Sequence, residues 1–177
     1  MAGSEPVTSM QQMVSLEYKL RASPVAIDFA HKLVAGTITG HACPECGLVY
    51  TPPSGFCSLC VVPTNAREHE VEISDRGTVT AFTVVDPIQY PGQKEHGVYA
   101  VASIILDGAS GTIGQQRLGD VDTDRVRMGM RVEAVWLPKE ERKDSAAVRV
   151  GLAGAIRHWR PVDEPDTPLE EFSEHII

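Results

Sequence analysis

The chain has 177 residues, 42% of them hydrophobic, which suits one compact domain with small attachments. Its net charge of −8 at pH 7 and its aromatic content of 6% argue against a protein that binds nucleic acid through phosphate contacts or base stacking. The longest apolar run, residues 98–106, is too short to cross a bilayer as a helix, and the first residues show no signal-peptide pattern. We therefore expect a soluble cytoplasmic protein without a membrane partner.

The first predicted elements form an arm and one helix, together residues 1–36. Residues 13–18 alternate briefly between apolar and polar, which predicts a short strand or extended arm. Ser23 then offers an N-cap, Pro24 suits a first helical turn, and Gly36 can end the helix. Between them the apolar residues follow helical spacing, namely Ala26, Phe29, Ala30, Leu33 and Val34. A single helix of this length is marginal alone, so its apolar stripe must be buried.

The cysteines of the chain form two C-x2-C pairs, and the pairs are separated by ten residues. They are Cys43, Cys46, Cys57 and Cys60. This spacing is typical of two metal-binding knuckles that bring four thiolates to one tetrahedral ion, for which zinc is the expected metal. Gly47 allows a tight turn that points amide groups at the sulfurs. We predict a small zinc ribbon over residues 37–66, held by a structural metal because its own core is too small.

Other readings of the cysteines remain open. Two disulfides would need an oxidising compartment, which the sequence does not indicate. A redox C-x-x-C belongs at a strand-to-helix junction, whereas residues 51–55 have the composition of a turn. Iron in a four-thiolate site is chemically similar to zinc and is hardly distinguishable by sequence. His41 lies two residues before Cys43 and is an alternative ligand, but we expect it at the surface.

From residue 67 the pattern changes to β-strands. Four strands are predicted at residues 77–86, 98–106, 111–116 and 130–137, and a fifth at 146–150 or 155–160. Five short strands with a long connection after the third suit an OB-fold Greek-key barrel, which we assign to residues 67–161. The acidic, proline-containing segment 162–177 is expected to be a flexible tail or to dock on a partner. The predicted fold class is mainly β, with an N-terminal helix, a four-cysteine zinc ribbon and a five-stranded OB-fold barrel.

The strand at residues 98–106 is apolar on both of its faces. Val98, Ala100, Ala102, Ile104 and Leu106 fill one face, and the opposite face is also largely apolar. Something must cover that second face. The candidates are the helix 24–35, a subunit interface, or the acyl chain of a ligand.

The order of these elements carries a family resemblance that spans about residues 15–161. The matching ribbon residues are Cys43, Cys46, Gly47, Pro52, Pro53, Cys57 and Cys60. The matching barrel residues are Gly77, Val79, residues 82–85, residues 106–108 and residues 128–132. With these residues the chain resembles the domain-of-unknown-function-thirty-five family, in which a rubredoxin-like zinc ribbon is fused to an OB-fold. Residues 16–18 and 23–25 look like the subset that pairs with lipid-transfer-protein-type, thiolase-fold aldolases acting on steroid side-chain CoA esters.

The resemblance implies a non-catalytic accessory subunit in a hetero-oligomer. Its thiolase-fold partner would hold the catalytic groups, and this chain would stabilise that partner and help bind or channel acyl-CoA. The residue pattern agrees with a non-catalytic role, because the six histidines occur in no H-E-x-x-H, nucleophile-elbow or H-x-E arrangement. Guanidinium groups bind phosphate with paired hydrogen bonds, so four arginines at the barrel mouth are candidates for CoA phosphates. They are Arg117, Arg125, Arg127 and Arg131, and acidic neighbours make a mixed solvated surface the alternative.

Two further hypotheses belong to other functional classes. Ribbons and OB-folds commonly bind nucleic acid, which salt-dependent retention on a polyanion would reveal despite the acidic composition. A small CoA-ester hydrolase or aldolase acting alone would show turnover by the isolated chain.

Overall fold

The computed structural model of the protein describes residues 14, 16, 21–86, 97–144 and 151–176. The predicted N-terminal arm at 13–18, the loop at 87–96 and the first candidate for the fifth strand, 146–150, therefore lie wholly or mostly outside the described residues. No helix in the described ranges is both long and apolar enough to span a bilayer.

Helix α1 covers Pro24–Ala35, as the sequence predicts. The Ser23 hydroxyl accepts a hydrogen bond from the amide of Ala26 at 3.2 Å, which satisfies one of the free amides of the first turn. Gly36 ends the helix in a left-handed conformation with φ of 102°. The buried stripe consists of Phe29, Ala30 and Leu33. It packs mainly against the first strand and against the short turn at residues 151–154.

The ribbon contains short strands in two small sheets. The strands are β1 (Ile38–Ala42), β2 (Val49–Tyr50), β3 (Phe56–Cys57), β4 (Val62–Pro63) and β5 (Glu70–Ile73). Strand β1 lies between β2 and β5, and it is antiparallel to both. Strands β3 and β4 form a separate antiparallel pair. Strand β5, which falls inside the range predicted for the barrel, thus completes the sheet that carries the ribbon.

The larger sheet has the strand connectivity of an OB-fold. Its strands are β6 (Arg76–Val85), β7 (Tyr99–Leu106), β8 (Thr112–Arg117), β9 (Arg131–Trp136) and β10 (Ile156–Pro161). They are arranged in the order β10-β9-β6-β7-β8. Strand β10 corresponds to the second of the two candidates for the fifth strand, residues 155–160. In the part of the chain that is described, the two edge strands approach at a parallel bridge between Leu118 and Trp159, so the sheet curls toward a barrel without a closing ladder.

A single hydrophobic core joins the helix, the base of the ribbon and the sheet. It includes Leu33 from α1, Ile38 from β1, Ile73 from β5 and Trp159 from β10, all of them buried. Strand β7 contributes every second side chain to this core, as its pleat requires. Its other face is half-buried. The Arg117 guanidinium covers the Tyr99 ring there, 4.5 Å from the ring centroid.

The tail differs from the flexible segment expected from its composition. The Thr167 amide donates to the Gly129 carbonyl at 2.8 Å, and the hydroxyl groups of Thr167 and Thr78 are also 2.8 Å apart. Phe172 is only 2% exposed. The acidic residues that suggested a solvated tail instead pair with arginines of the sheet, because Glu164 meets Arg76 and Arg131. The tail is thus a strap across the protein's own sheet.

Candidate metal centre

Two tight turns of the same design present the four cysteines. In the first knuckle, Cys43–Gly47, the Cys46 amide donates to the Cys43 sulfur at 3.5 Å, and the Gly47 amide donates to the Cys43 carbonyl at 3.0 Å. The second knuckle, residues 57–61, repeats both bonds, from the Cys60 amide to the Cys57 sulfur at 3.5 Å and from the Val61 amide to the Cys57 carbonyl at 2.9 Å. The local turn therefore fixes each sulfur pair.

The fifth residue of each knuckle has a positive φ. Gly47 has a φ of 73°, which costs glycine little. Val61 has a φ of 60°, a conformation in which a β-branched side chain is strained. The second knuckle thus contains a backbone conformation that valine does not favour. The strained residue directly follows Cys60, where the knuckle closes around the cysteine cluster.

The four sulfurs are arranged as a set of metal ligands. All four Sγ atoms lie within 4.8 Å of one another, and the cysteines are not bridged by disulfides. The Sγ atoms of Cys46 and Cys57 are 3.8 Å apart. A tetrahedral ion with metal–sulfur bonds of about 2.3 Å requires sulfur–sulfur distances of about 3.8 Å. The cluster can therefore bind one metal ion with little rearrangement.

The cluster is electrostatically and sterically asymmetric. Cys43 and Cys57 are buried, whereas Cys46 is exposed and Cys60 is intermediate. The Tyr50 hydroxyl lies 3.1 Å from the Cys57 sulfur and lowers the pKa of that thiol to about 6. A hydrogen bond with Cys46 raises the pKa of Cys60 to about 12. The Tyr50 hydroxyl therefore favours the thiolate form of Cys57.

His41 is not the surface residue that the sequence suggested. It is 6% exposed in β1, and its Nδ1 atom is buried with no hydrogen-bond partner recorded among the described residues. Burial lowers the pKa of the imidazole. The prediction was wrong because β1 lies in the middle of its sheet, where β2 and β5 enclose it. Among the described residues, the four cysteines form a group of potential metal ligands, and His41 is not a member of it.

The structure distributes the four candidate CoA-binding arginines over three clefts. Arg125 and Arg127 line a cleft of about 360 Å³, which also contains Asp120, Asp122, Asp163, Glu164 and Asp166. Arg131 lines a second cleft, beneath the tail, and Arg117 a third, between β8 and β10. The arginines are therefore close in sequence without forming one cationic surface.

Two of these arginines are already paired with carboxylates. Arg127 binds Asp166 through two nitrogens, at 2.5 and 2.7 Å. Arg131 binds both oxygens of Asp107, at 2.7 and 2.6 Å. Neither of the other two has an ion pair recorded in the described part of the chain. Arg117 instead stacks on Tyr99 in a cleft that also contains Arg157.

Sequence reasoning did not find two contacts, one in the metal centre and one beside the clefts that contain the arginines. Tyr50 follows the first knuckle at the spacing C-x2-C-G-x2-Y, so a signal for it existed in the sequence, but only the folded ribbon shows its hydroxyl beside Cys57. The pair formed by His158 and Asp120, with Nε2 and Oδ2 3.0 Å apart, joins residues 38 positions apart and has no local signature.

The fold and the cysteine cluster together define a four-cysteine ribbon attached to an OB-type sheet. Residues 70–137 match a family model described as the C-terminal OB-fold domain of ChsH2. A DUF35 domain-containing scaffold protein of Methanothermobacter thermautotrophicus is 24% identical over 115 residues, which cover 65% of this chain and 83% of the relative. In sequence, the chain is therefore similar to DUF35-domain proteins and to the OB-fold domain of ChsH2.

Two solved structures share the fold. A chain of the Ltp2-ChsH2(DUF35) aldolase matches with a TM-score of 0.56 and 17% identity, over 81% of this chain and 98% of that chain. A DUF35-family protein of unknown function from Sulfolobus solfataricus matches with a TM-score of 0.52 and 22% identity, over 64% of this chain and 79% of its own. At these identities the likeness is one of fold.

Proposed function

We propose that this chain is a non-catalytic accessory subunit of a thiolase-fold enzyme of the steroid side-chain aldolase or acyl-CoA thiolase type. It stabilises that enzyme in a cytoplasmic hetero-oligomer and helps to bind or channel acyl-CoA during lipid breakdown. The observation that carries the proposal is the match to 98% of a chain from an aldolase complex, supported by a relative named as a scaffold protein. The scaffold role in the name of that relative favours a role in assembly for this chain.

For the metal we propose one zinc ion with a structural role. Four thiolates form a closed tetrahedral set, which leaves zinc no open position for a substrate. Cys43, Cys46, Cys57 and Cys60 would hold the ion, and the metal would contribute folding energy to the knuckles. We also retain residues 37–66 as the ribbon, 67–161 as the barrel, and the flanking ranges 1–36 and 162–177 as attachments. Strand β5 links the first two.

Of the four candidate arginines, we propose Arg117 as the main contact for acyl-CoA. Arg127 and Arg131 would have to exchange carboxylate partners for phosphate, and Arg125 lies in a cleft rich in acidic side chains. Arg117 lies in a cleft of about 260 Å³ with Arg157 and Tyr99. Among the described residues, a phosphate that binds to Arg117 there would compete only with the long Arg157–Glu141 pair, whose atoms are 3.8 Å apart. Binding of CoA to the purified chain or its complex should weaken in Arg117→Gln and change less in Arg127→Gln.

Native mass spectrometry of the tagged protein, purified gently from its own host, tests the assembly. We expect a stable complex that contains a thiolase-fold subunit and about one zinc ion per copy of this chain. Recovery of the chain alone with zinc would overturn the accessory role. Turnover of an acyl-CoA by the isolated chain, or salt-dependent retention on a polyanion, would favour the enzymatic or nucleic-acid hypothesis instead.

A further inference from the structure

The two knuckles have equivalent backbones but different side-chain surroundings. Cys43 and Cys57 each accept one amide hydrogen bond at 3.5 Å from the cysteine three residues later. Cys57 has an additional partner, because the Tyr50 hydroxyl lies 3.1 Å from its sulfur. This hydroxyl comes from β2, outside both knuckles, so the turn geometry does not account for it.

The backbone around Tyr50 is held on two sides. Tyr50 pairs with His41 across the β1–β2 ladder. The preceding residue, Val49, donates its amide to the Ser110 hydroxyl and accepts the Ser110 amide at its carbonyl, each at 2.9 Å. Ser110 lies in the turn after β7. The hydroxyl is therefore placed beside the sulfur by a strand that is attached to both the ribbon and the sheet.

The direction of the hydrogen bond follows from the chemistry of a metal-bound cysteine. A cysteine that ligates a metal is a thiolate and has no proton to donate. Tyr50 must then donate its O–H to Cys57, since a phenol keeps its proton at neutral pH. Four thiolates around a divalent ion leave a net charge of −2, and each donor that reaches a sulfur reduces the free-energy cost of that excess charge.

We propose that Tyr50 is a positioning residue for the metal centre, and that its hydroxyl fixes the Cys57 sulfur and strengthens metal binding by the ribbon. The inference rests on the proposed metal assignment and adds a residue to it. Tyr50 touches a ligand rather than the ion, so its effect is on affinity and on the electronic environment of one sulfur. Outer donors of this kind typically change metal affinity by about 10- to 100-fold.

Replacement of Tyr50 by phenylalanine removes the hydroxyl and keeps the ring. In chelator competition with the full chain, zinc affinity of Tyr50→Phe should fall by about 10-fold or more. With cobalt in place of zinc, the sulfur-to-metal charge-transfer bands should shift, because the electron density on one thiolate changes. Tyr99→Phe is the matched control, since Tyr99 stacks under Arg117 in the larger sheet, and it should leave both readouts unchanged.

The possible outcomes distinguish the metal assignment from the role proposed for Tyr50. If the unaltered chain retains neither zinc nor cobalt, the metal assignment fails and this inference fails with it. If the unaltered chain binds metal and Tyr50→Phe matches it in affinity and in cobalt spectrum, only the role of Tyr50 is overturned. A loss of affinity without a spectral shift would indicate altered packing and would also contradict the proposal.

Discussion

The knuckle region, residues 43–63, and the five-stranded sheet are held together in opposite ways. The knuckle region has strands of two residues each, and Phe56, Leu59 and Val61 are exposed. The sheet has strands of six to ten residues and a core with fully buried side chains such as Ile104 and Trp159. With the proposed metal in place, the comparison teaches that the knuckle region depends on bonds to an ion, whereas the sheet depends on burial of apolar surface.

Removal of the metal should have the largest effect on stability, and it tests the difference between the two regions most directly. In Cys43→Ser, or in the chain treated with a chelator, residues 43–63 should lose hydrogen-exchange protection while β6–β10 keep theirs. Metal binding to small zinc domains is worth about 10–16 kcal/mol, which the knuckle region has no core to replace. Glu45→Gln is the control, since Glu45 is exposed between Cys43 and Cys46. Equal loss of protection in both regions would contradict the division.

The sheet should respond most strongly to loss of its largest buried side chain. Trp159 is 0% exposed, and its indole nitrogen lies 3.3 Å from the Gln116 side-chain oxygen. Trp159→Ala should lower the free energy of unfolding by about 3–5 kcal/mol in denaturant titrations. Trp136→Ala is the matched change at a partly buried position and should cost less. The metal content of folded Trp159→Ala should be unchanged. Loss of metal from this variant would show that the knuckle region and the sheet are not stabilised independently.

Close backbone packing in the sheet can be tested with two glycines. A Cβ at Gly77 would lie 2.3 Å from the Ile105 carbonyl oxygen, whereas a Cβ at Gly114 would meet nothing within 4 Å. Gly77→Ala should cost about 1–3 kcal/mol, because the β6–β7 pairing must shift. Gly114→Ala should be neutral or stabilising by up to about 1 kcal/mol. Denaturant midpoints measure both, and similar values for the two variants would refute the packing argument.

A smaller effect on metal binding is expected from one substitution in each knuckle, at the equivalent positions Gly47 and Val61. Val61→Gly should release metal to a chelator more slowly, because a left-handed valine costs about 1–2 kcal/mol and glycine recovers part of this. Gly47→Ala should release metal faster, since the same conformation becomes strained there. Both positions have room, because Val61 is 70% exposed and a Cβ at Gly47 meets no neighbour. Parallel changes in the two variants would show that backbone strain does not limit the site.

The smallest expected effect concerns an ion pair on the sheet surface. Arg160 and Arg76 hold the pKa of Glu133 below the ordinary value of 4.5. A depressed carboxyl pKa contributes stability above the unfolded-state pKa, and this stability disappears as pH falls through the folded-state pKa. The difference in Tm between the unaltered protein and Glu133→Gln should therefore be largest near neutral pH and vanish in acid. It should remain small, as surface pairs are worth about 0–1 kcal/mol.

Local patterns in the sequence predicted the elements well. The bounds of α1 were predicted correctly from the N-cap at Ser23, the stop at Gly36 and the helical spacing of apolar residues between them. These signals act within about one turn of the chain. Four strands of the sheet and the cysteine cluster follow from alternation and ligand spacing in the same way. The number of strands and the long connection after the third strand then favoured an OB-fold, and the family resemblance implied the same fold.

Features that depend on distant partners could not be predicted from local patterns. The burial of His41 requires β5 to pair with β1, and the strap requires Glu164 and Asp166 to find arginines far away in sequence. An acidic segment has the same composition whether it is solvated or ion-paired. The position of the Tyr50 hydroxyl likewise depends on how β2 and β3 are arranged around the cysteines.

The pairing of β5 with β1 has a consequence for dissecting the protein. The matched segment, residues 70–137, begins with β5 and ends just after β9. Excised at those limits, it would lose β1, leaving one edge of β5 without its neighbour, and it would lose β10 together with Trp159. A fragment cut along the boundary of sequence similarity would therefore expose core residues on two sides. A fragment for expression should keep α1, β1 and β10 together with the matched segment, because these elements carry both halves of the shared core.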